Sequence, residues 1–146
     1  MSKFFIKQAF AEAIDLQKNQ KYDEAKKLYE KILKRDSKDA NARHLIALIY
    51  MAEGNFNEAK KNIEIAIDQA PDQPIFHSNY GALLHSMGNH KEAVVALEKS
   101  IKLDDKLFQS YYSLGIAYSD LNQNEKAVEA YHKALDVNNK SAAAHN

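Results

Sequence analysis

Histidine is the residue type in this sequence with the widest chemical range, because imidazole can act as a general base or as a metal ligand. The chain contains six histidines, and none belongs to an HExxH pattern, which would place two imidazoles and a glutamate at a zinc site. His85 and His90 are close in sequence, but no carboxylate is expected beside them to complete a metal site. We therefore predict no metal site and expect these side chains on a solvated surface or in a binding groove.

Other routes to catalysis lack the residues that they need. The sequence has no cysteine, which excludes disulfides, thiolate metal sites and a cysteine nucleophile. Its four glycines are isolated, so the sequence has no glycine-rich phosphate loop. We predict no catalytic residue and no cofactor, and we do not expect the chain to be an enzyme.

The charges are balanced and dispersed, with 20 Lys and Arg against 20 Asp and Glu. Nucleic-acid binding would require clustered cations and an excess of positive charge. The basic run from Lys26 to Arg35 is interleaved with acidic residues, so we interpret it as a solvated helix face, with binding to an acidic partner as the alternative. No segment is long and apolar enough for a membrane span or a secretory signal. We predict no nucleic-acid or membrane partner and a cytoplasmic location.

A period of 34 residues organises the elements that would position any binding site. Ala25, Ala59, Ala93 and Ala127 stand at this spacing. Four residues after each alanine comes a bulky apolar residue, and the next bulky apolar residue follows four later, as on one stripe of an α-helix. Twelve residues before each alanine lies Ala or Gly, which we expect where two helices cross closely.

The fourth block carries the most complete set of characteristic residues. They are Tyr111, Leu114, Gly115, Tyr118, Ala127 and Tyr131. This pattern resembles the tetratricopeptide repeat family. The first block departs from it, with Ala9 and Glu12 in the places of tryptophan and leucine, and the family proline appears only as Pro71. The resemblance implies an all-α fold, a right-handed α-solenoid of about four helix–turn–helix repeats with eight helices.

The repeat boundaries follow from the same period. We predict a single domain over 1–146, with repeats at 6–39, 40–73, 74–107 and 108–141. Turns are predicted inside each hairpin, with Gly54 and Gly88 left-handed and asparagine in that role in the other two, and between blocks, the last at 138–140.

The residues after the fourth block align with the opening of another repeat. We interpret 142–146 as the start of a truncated fifth repeat, which favours an amino-terminal piece of a longer protein over a frayed tail. The apolar residues Val128, Ala134, Leu135 and Val137 would then be exposed and could support self-association through the carboxyl-terminal end.

The resemblance implies that the first helix of each hairpin lines a concave groove. Helical spacing selects its candidate peptide-binding residues, which are Phe10, Ile14, Asn41, His44, Leu48, Met51, Ser78, Asn79, Ala82, His85, Tyr112 and Ile116. This groove is largely apolar and almost uncharged, as suits an extended peptide or one apolar helix. The alternative for several of these residues is partial burial against neighbouring helices.

The same positions discriminate between branches of the family. Members that act as chaperone cofactors hold a terminal carboxylate with lysine, arginine and asparagine, but of the matching residues here only Asn79 agrees, and it carries no charge. Capture of a chaperone tail is therefore not expected. We predict a protein–protein interaction scaffold that binds a peptide or helical segment in the groove. The alternative is the N-terminal substrate-recruiting arm of a larger enzyme, such as a glycosyltransferase.

Overall fold

The structure is a computed structural model that describes residues 3–145, and its regular elements in that range are eight α-helices without a strand. They are α1 (Lys3–Lys18), α2 (Tyr22–Arg35), α3 (Ala40–Ala52), α4 (Phe56–Gln69), α5 (Pro74–Ser86), α6 (His90–Leu103), α7 (Phe108–Asp120) and α8 (Asn124–His145). The predicted all-α fold is confirmed. The chain divides into two compact units, Met1–Pro71 with α1 to α4 and Asp72–Asn146 with α5 to α8.

The first unit is built from two hairpins joined through α2, which contacts both α1 and α3. Its core contains the alanine of the repeat, Ala25, together with Tyr29 and Ile32 one and two turns further along α2, all fully buried. Two acidic residues in the first turn of α2 and two basic residues in its last turn complement the helix dipole. Helical periodicity therefore gives α2 a buried stripe, and the charged residues of its first and last turns stabilise the helix.

The second unit repeats this arrangement, with α6 in contact with both α5 and α7, and α7 paired with α8. The small residues of the repeat lie where helices approach closely. A Cβ atom added at Gly81 would lie 2.5 Å from Leu97 Cγ, and one at Gly115 would lie 2.5 Å from Tyr131 Cε1. The interpretation of these positions as close helix crossings is therefore confirmed.

The turn inside each hairpin has the same backbone conformation in all four blocks. Positive φ occurs at Gln20, Gly54, Gly88 and Asn122, which again are 34 residues apart. The residue after each donates its N–H to the carbonyl five positions earlier, at 2.8–2.9 Å, as in a Schellman motif. The predictions for both glycines and for an asparagine in the fourth block are confirmed. In the first block the left-handed residue is Gln20 and not Asn19, because the turn has a fixed position in the repeat.

Between blocks, the helices end and restart as predicted at the first three boundaries. Asp39 Oδ1 accepts a hydrogen bond from the Ala42 N–H at 3.1 Å and caps α3, and Pro74 is the first residue of α5.

The predicted turn at 138–140 is wrong. Asp36, Ala70 and Asp104 each follow a helix end, but the next residue of that series, Asn138, lies inside α8. No proline interrupts this stretch, and the alanines that follow favour helix. Residues 142–145, expected to begin a fifth repeat, therefore belong to α8. Asn146 lies outside the described residues. None of the helices in residues 3–145 is long and apolar enough to cross a membrane.

Candidate functional site

In the first unit, the predicted groove residues on α1 lie beside an aromatic pair. Phe10 is half-buried, and its ring centroid is 6.1 Å from that of Tyr29. The Tyr29 hydroxyl donates a hydrogen bond of 2.8 Å to Gln17 Oε1, and burial raises the pKa of Tyr29 to about 12. Ile14 is 37% exposed. This part of α1 therefore carries one accessible apolar side chain, Ile14, and one half-buried ring, Phe10, that packs against Tyr29.

The predicted residues of α3 divide into accessible and buried ones. Asn41 is exposed, and Leu48 and Met51 are half-buried. His44 is only 6% exposed, and this burial lowers its pKa to about 4. The His44 imidazole is therefore neutral near pH 7 and contributes to packing and not to an open surface. Helical spacing selected its face of α3 but could not show how closely the neighbouring side chains cover it.

Ser78 of α5 is likewise buried, within a network of hydroxyl groups in the second unit. Its Oγ accepts hydrogen bonds from Ser110 Oγ at 3.1 Å and from Gln109 Nε2 at 3.0 Å. Ser100 Oγ lies 2.9 Å from Ser110 Oγ and donates to the Pro74 carbonyl at 2.8 Å. The network connects α5, α6 and α7, so Ser78 has a structural role in holding the helices together. Sequence reasoning missed Ser100 and Ser110, which do not follow the repeat.

Three aromatic side chains of the second unit form an accessible surface that we call the aromatic face, made of Phe108, Tyr112 and Tyr131. Phe108 is 41% and Tyr112 48% exposed. Their rings are stacked, with centroids 5.7 Å apart and an interplanar angle of 15°, and Tyr131 lies 5.9 Å beyond Tyr112. Of these three residues, only Tyr112 is among the predicted groove residues. The spacing of Phe108 and Tyr112 by one helical turn was the signal that could have found the pair.

The remaining predicted residues of the second unit lie on α5 and α7, of which only α7 also carries residues of the aromatic face. On α5 these are Asn79, Ala82 and His85, and on α7 Ile116, all of them half-buried. Asn79 Oδ1 accepts a hydrogen bond of 3.4 Å from Gln109 Nε2. Helices α5 and α7 are in contact, and the hydrogen bond between Gln109 and Asn79 joins them at this position.

Two histidines and a carboxylate meet where α5, α6 and α7 have their ends, in what we call the His–Asp cluster. His85 Nδ1 lies 3.0 Å from His90 Nδ1, and His85 Nε2 lies 3.3 Å from Asp120 Oδ2. His90 Nδ1 is 4.0 Å from the same carboxylate oxygen. The expectation that no carboxylate stands near these histidines is therefore wrong. No local sequence pattern indicates this carboxylate, because Asp120 lies one repeat later, at the last residue of α7.

The apolar residues expected at the carboxyl-terminal end are only partly accessible. Val128 and Leu135 are each 54% exposed, and Val137 is half-buried. Ala134 is 1% exposed and therefore belongs to the interior, contrary to expectation. Helical geometry explains the difference, since adjacent residues of α8 point to different faces of the helix.

Comparison with known proteins agrees with this repeat structure. Three sequence models described as "Tetratricopeptide repeat" match residues 16–83, 76–107 and 108–141. Among curated proteins, the chain is 28% identical over 95 residues to DnaJ homolog subfamily C member 7 of Mus musculus, covering 65% of this chain and 19% of that protein. It is 32% identical over 97 residues to small glutamine-rich tetratricopeptide repeat-containing protein 2 of Saccharomyces cerevisiae, covering 62% of this chain and 28% of that protein. The chain thus spans less than a third of the length of each of these relatives.

A solved structure shows the same fold. The chain superposes on PilF of Pseudomonas aeruginosa with a TM-score of 0.86 and 19% sequence identity, covering 92% of this chain and 61% of that one. Together with the 34-residue period, the buried alanines and the repeated turns, these matches show that the chain belongs to the tetratricopeptide repeat family.

Proposed function

We propose that this protein is a protein-interaction scaffold and that its second unit binds a peptide or helical segment of a partner through the aromatic face. The observation that carries the proposal is the exposed, stacked pair formed by Phe108 and Tyr112. Large aromatic side chains dominate binding energy at protein interfaces because they bury much area and lose little rotamer entropy.

The packing behind the aromatic face favours a preorganised surface. The ring of Tyr131 packs against Gly115, and any larger residue there would displace it. The same ring packs against Tyr112. Burial is the largest cause of the raised pKa of Tyr131, and the charges of Tyr112 and Asp120 raise it further. A surface that is already ordered loses less entropy when a partner binds.

The remaining predicted groove residues define how far the proposed binding surface extends. We assign the accessible residues of α5 and α7 to the rim of the aromatic face, and those of the first unit, including Ile14 and Met51, to a second contact area. His44 and Ser78 are left out because they are buried. A cytoplasmic location and self-association through Val128 and Leu135 remain parts of the proposal that rest on the sequence and on the exposure of these two residues.

The alternative role as the recruiting arm of a larger enzyme would use the same surface. The segment bound to the aromatic face would then be a substrate of the catalytic domain. Either role is compatible with a charge-poor face that does not select for a terminal carboxylate.

Site-specific photo-cross-linking tests the location of the binding surface. A photoreactive phenylalanine analogue placed at Tyr112 should cross-link a partner protein in an extract of the native host. The matched control carries the same analogue at Val95 of α6, which is also apolar and is 68% exposed. We expect one discrete adduct from position 112 and none of it from position 95. The same adduct from position 95 alone would place the binding surface elsewhere.

A further inference from the structure

The His–Asp cluster offers the donor atoms of a metal site. One ligand atom from each of His85, His90 and Asp120 can be chosen so that all three lie within 4.8 Å of one another. In a tetrahedral zinc site, with bonds of about 2.0–2.1 Å, neighbouring ligand atoms are about 3.3 Å apart. The distance from His85 Nε2 to Asp120 Oδ2 already has this value. His90 Nδ1, which is 4.0 Å from the same carboxylate oxygen, must approach it more closely to complete the set.

The elements that carry the three side chains are held in place independently of any ion. Helices α5, α6 and α7 contact one another pairwise. The hairpin turn between the histidines is closed by hydrogen bonds from the Gly88 N–H to the His85 carbonyl, at 2.9 Å, and from the Asn89 N–H to the Leu84 carbonyl, at 2.8 Å. The ligands are therefore positioned by folded structure, which reduces the entropy cost of gathering them.

The electrostatic environment of the cluster also favours a cation. His85 lies in the last turn of α5 and Asp120 at the last residue of α7, where the helix dipoles place partial negative charge. The amino-terminal end of α6, at His90, opposes this. The negative charge of two helix ends and one carboxylate therefore exceeds the positive charge of one helix end, which favours a bound cation.

The cluster is open to solvent on one side. The exposed fractions of the side chains of His85, His90 and Asp120 are 27%, 29% and 47%. An ion can therefore enter without unfolding, and a fourth position remains for water or for a donor group of a partner.

We propose that His85, His90 and Asp120 form a binding site for a divalent transition-metal ion of the zinc type. Two imidazoles and one carboxylate suit zinc, cobalt and nickel better than magnesium or calcium, which prefer oxygen ligands. The bound ion would tie α5, α6 and α7 together, because each of these helices carries one of the three ligands.

Calorimetric titration of the untagged, chelator-treated protein with zinc chloride tests the proposal. We expect one equivalent to bind and saturating zinc to raise the Tm by about 5–10 °C. Asp120→Asn should weaken binding at least about tenfold, and His85→Ala or His90→Ala about 100-fold. His132→Ala is the matched control, since His132 is an exposed histidine on α8, and it should bind like the wild type. Absence of binding, or unchanged affinity in the Asp120 and His85 variants, would overturn the proposal.

A second measurement needs no substituted protein and so does not depend on how the variants fold. Paramagnetic Co²⁺ should broaden the amide NMR signals of residues around 85, 90 and 120 before those around 132. Broadening centred on another histidine would show that the ion binds elsewhere and would refute the assignment.

Discussion

Gly81 provides a quantitative test of the packing between paired helices, because an alanine there would meet one identifiable side chain. The added Cβ atom would lie 2.5 Å from Leu97 Cγ, 2.7 Å from Cδ2 and 3.2 Å from Cδ1. Leu97 is fully buried and therefore has little room to move. Overpacking of this kind costs about 1–3 kcal/mol, whereas alanine gains about 0.8–1.0 kcal/mol over glycine inside a helix. We expect Gly81→Ala to lower the free energy of unfolding by about 1 kcal/mol.

A double-mutant cycle with Leu97→Ala separates these two contributions. Leu97→Ala alone should cost about 2–5 kcal/mol, because it leaves a cavity in the core. In that background the close contact is gone, so Gly81→Ala should become stabilising by up to about 1 kcal/mol. The two substitutions should therefore show a coupling energy of about 1–3 kcal/mol. Urea unfolding followed by circular dichroism measures all four proteins of the cycle.

Gly115 supplies the comparison within the same unit. Its added Cβ atom would meet Tyr131 at the same distance of 2.5 Å, but Tyr131 is only half-buried, so a displaced ring meets fewer core atoms than the fully buried Leu97 does. Gly115→Ala should accordingly cost less than Gly81→Ala. Additive effects of Gly81→Ala and Leu97→Ala, or a Gly81→Ala protein more stable than the wild type, would refute this account of the helix crossing.

Two further predictions concern the first unit. Gln20 has a φ of 62°, so Gln20→Gly should raise the free energy of unfolding by about 0.5–1 kcal/mol in urea titrations, whereas a loss of stability would contradict the role of this turn position. Burial lowers the pKa of His44 from 6.5 in the unfolded chain to about 4 in the folded chain. Above pH 6.5 the imidazole is neutral in both states, so its protonation takes nothing from the free energy of unfolding. As the pH falls from 6.5 to 4 the unfolded chain takes up the proton first, and stability on the order of 3 kcal/mol should be lost. Urea unfolding at pH 7.5 and 4.5 should show a smaller pH dependence for His44→Gln than for the exposed-histidine control His132→Gln; equal dependence in both would contradict the burial of His44.

The repeat could be predicted from the sequence because one spacing recurs in several residue types at once. The four alanines that define it are all buried, from Ala25 at 0% to Ala127 at 3% exposed. The left-handed turn residues keep the same period even where glycine is replaced by Gln20. Periodic features are set by local helix geometry and by contacts between adjacent helices, both of which repeat with the sequence.

What the sequence could not supply are contacts that occur once. The approach of Asp120 to His85 depends on how the ends of α5 and α7 lie together, and no spacing rule gives that distance. The burial of His44 depends on the sizes of surrounding side chains and not on its helical position. Continuation of α8 through Asn138 reflects the absence of a proline and the helix preference of the alanines that follow, which outweighed the periodic turn.

We propose that Tyr112 anchors a partner segment on the aromatic face. The most direct test is the affinity of the peptide identified by cross-linking, made synthetically with a fluorescent label and titrated with wild-type, Tyr112→Ala and Val95→Ala proteins. Loss of a central aromatic anchor typically costs more than 1 kcal/mol, so we predict about a tenfold higher Kd for Tyr112→Ala. The Kd of Val95→Ala should equal that of the wild type. An unchanged Kd for Tyr112→Ala, with its helical circular dichroism intact, would contradict the claim.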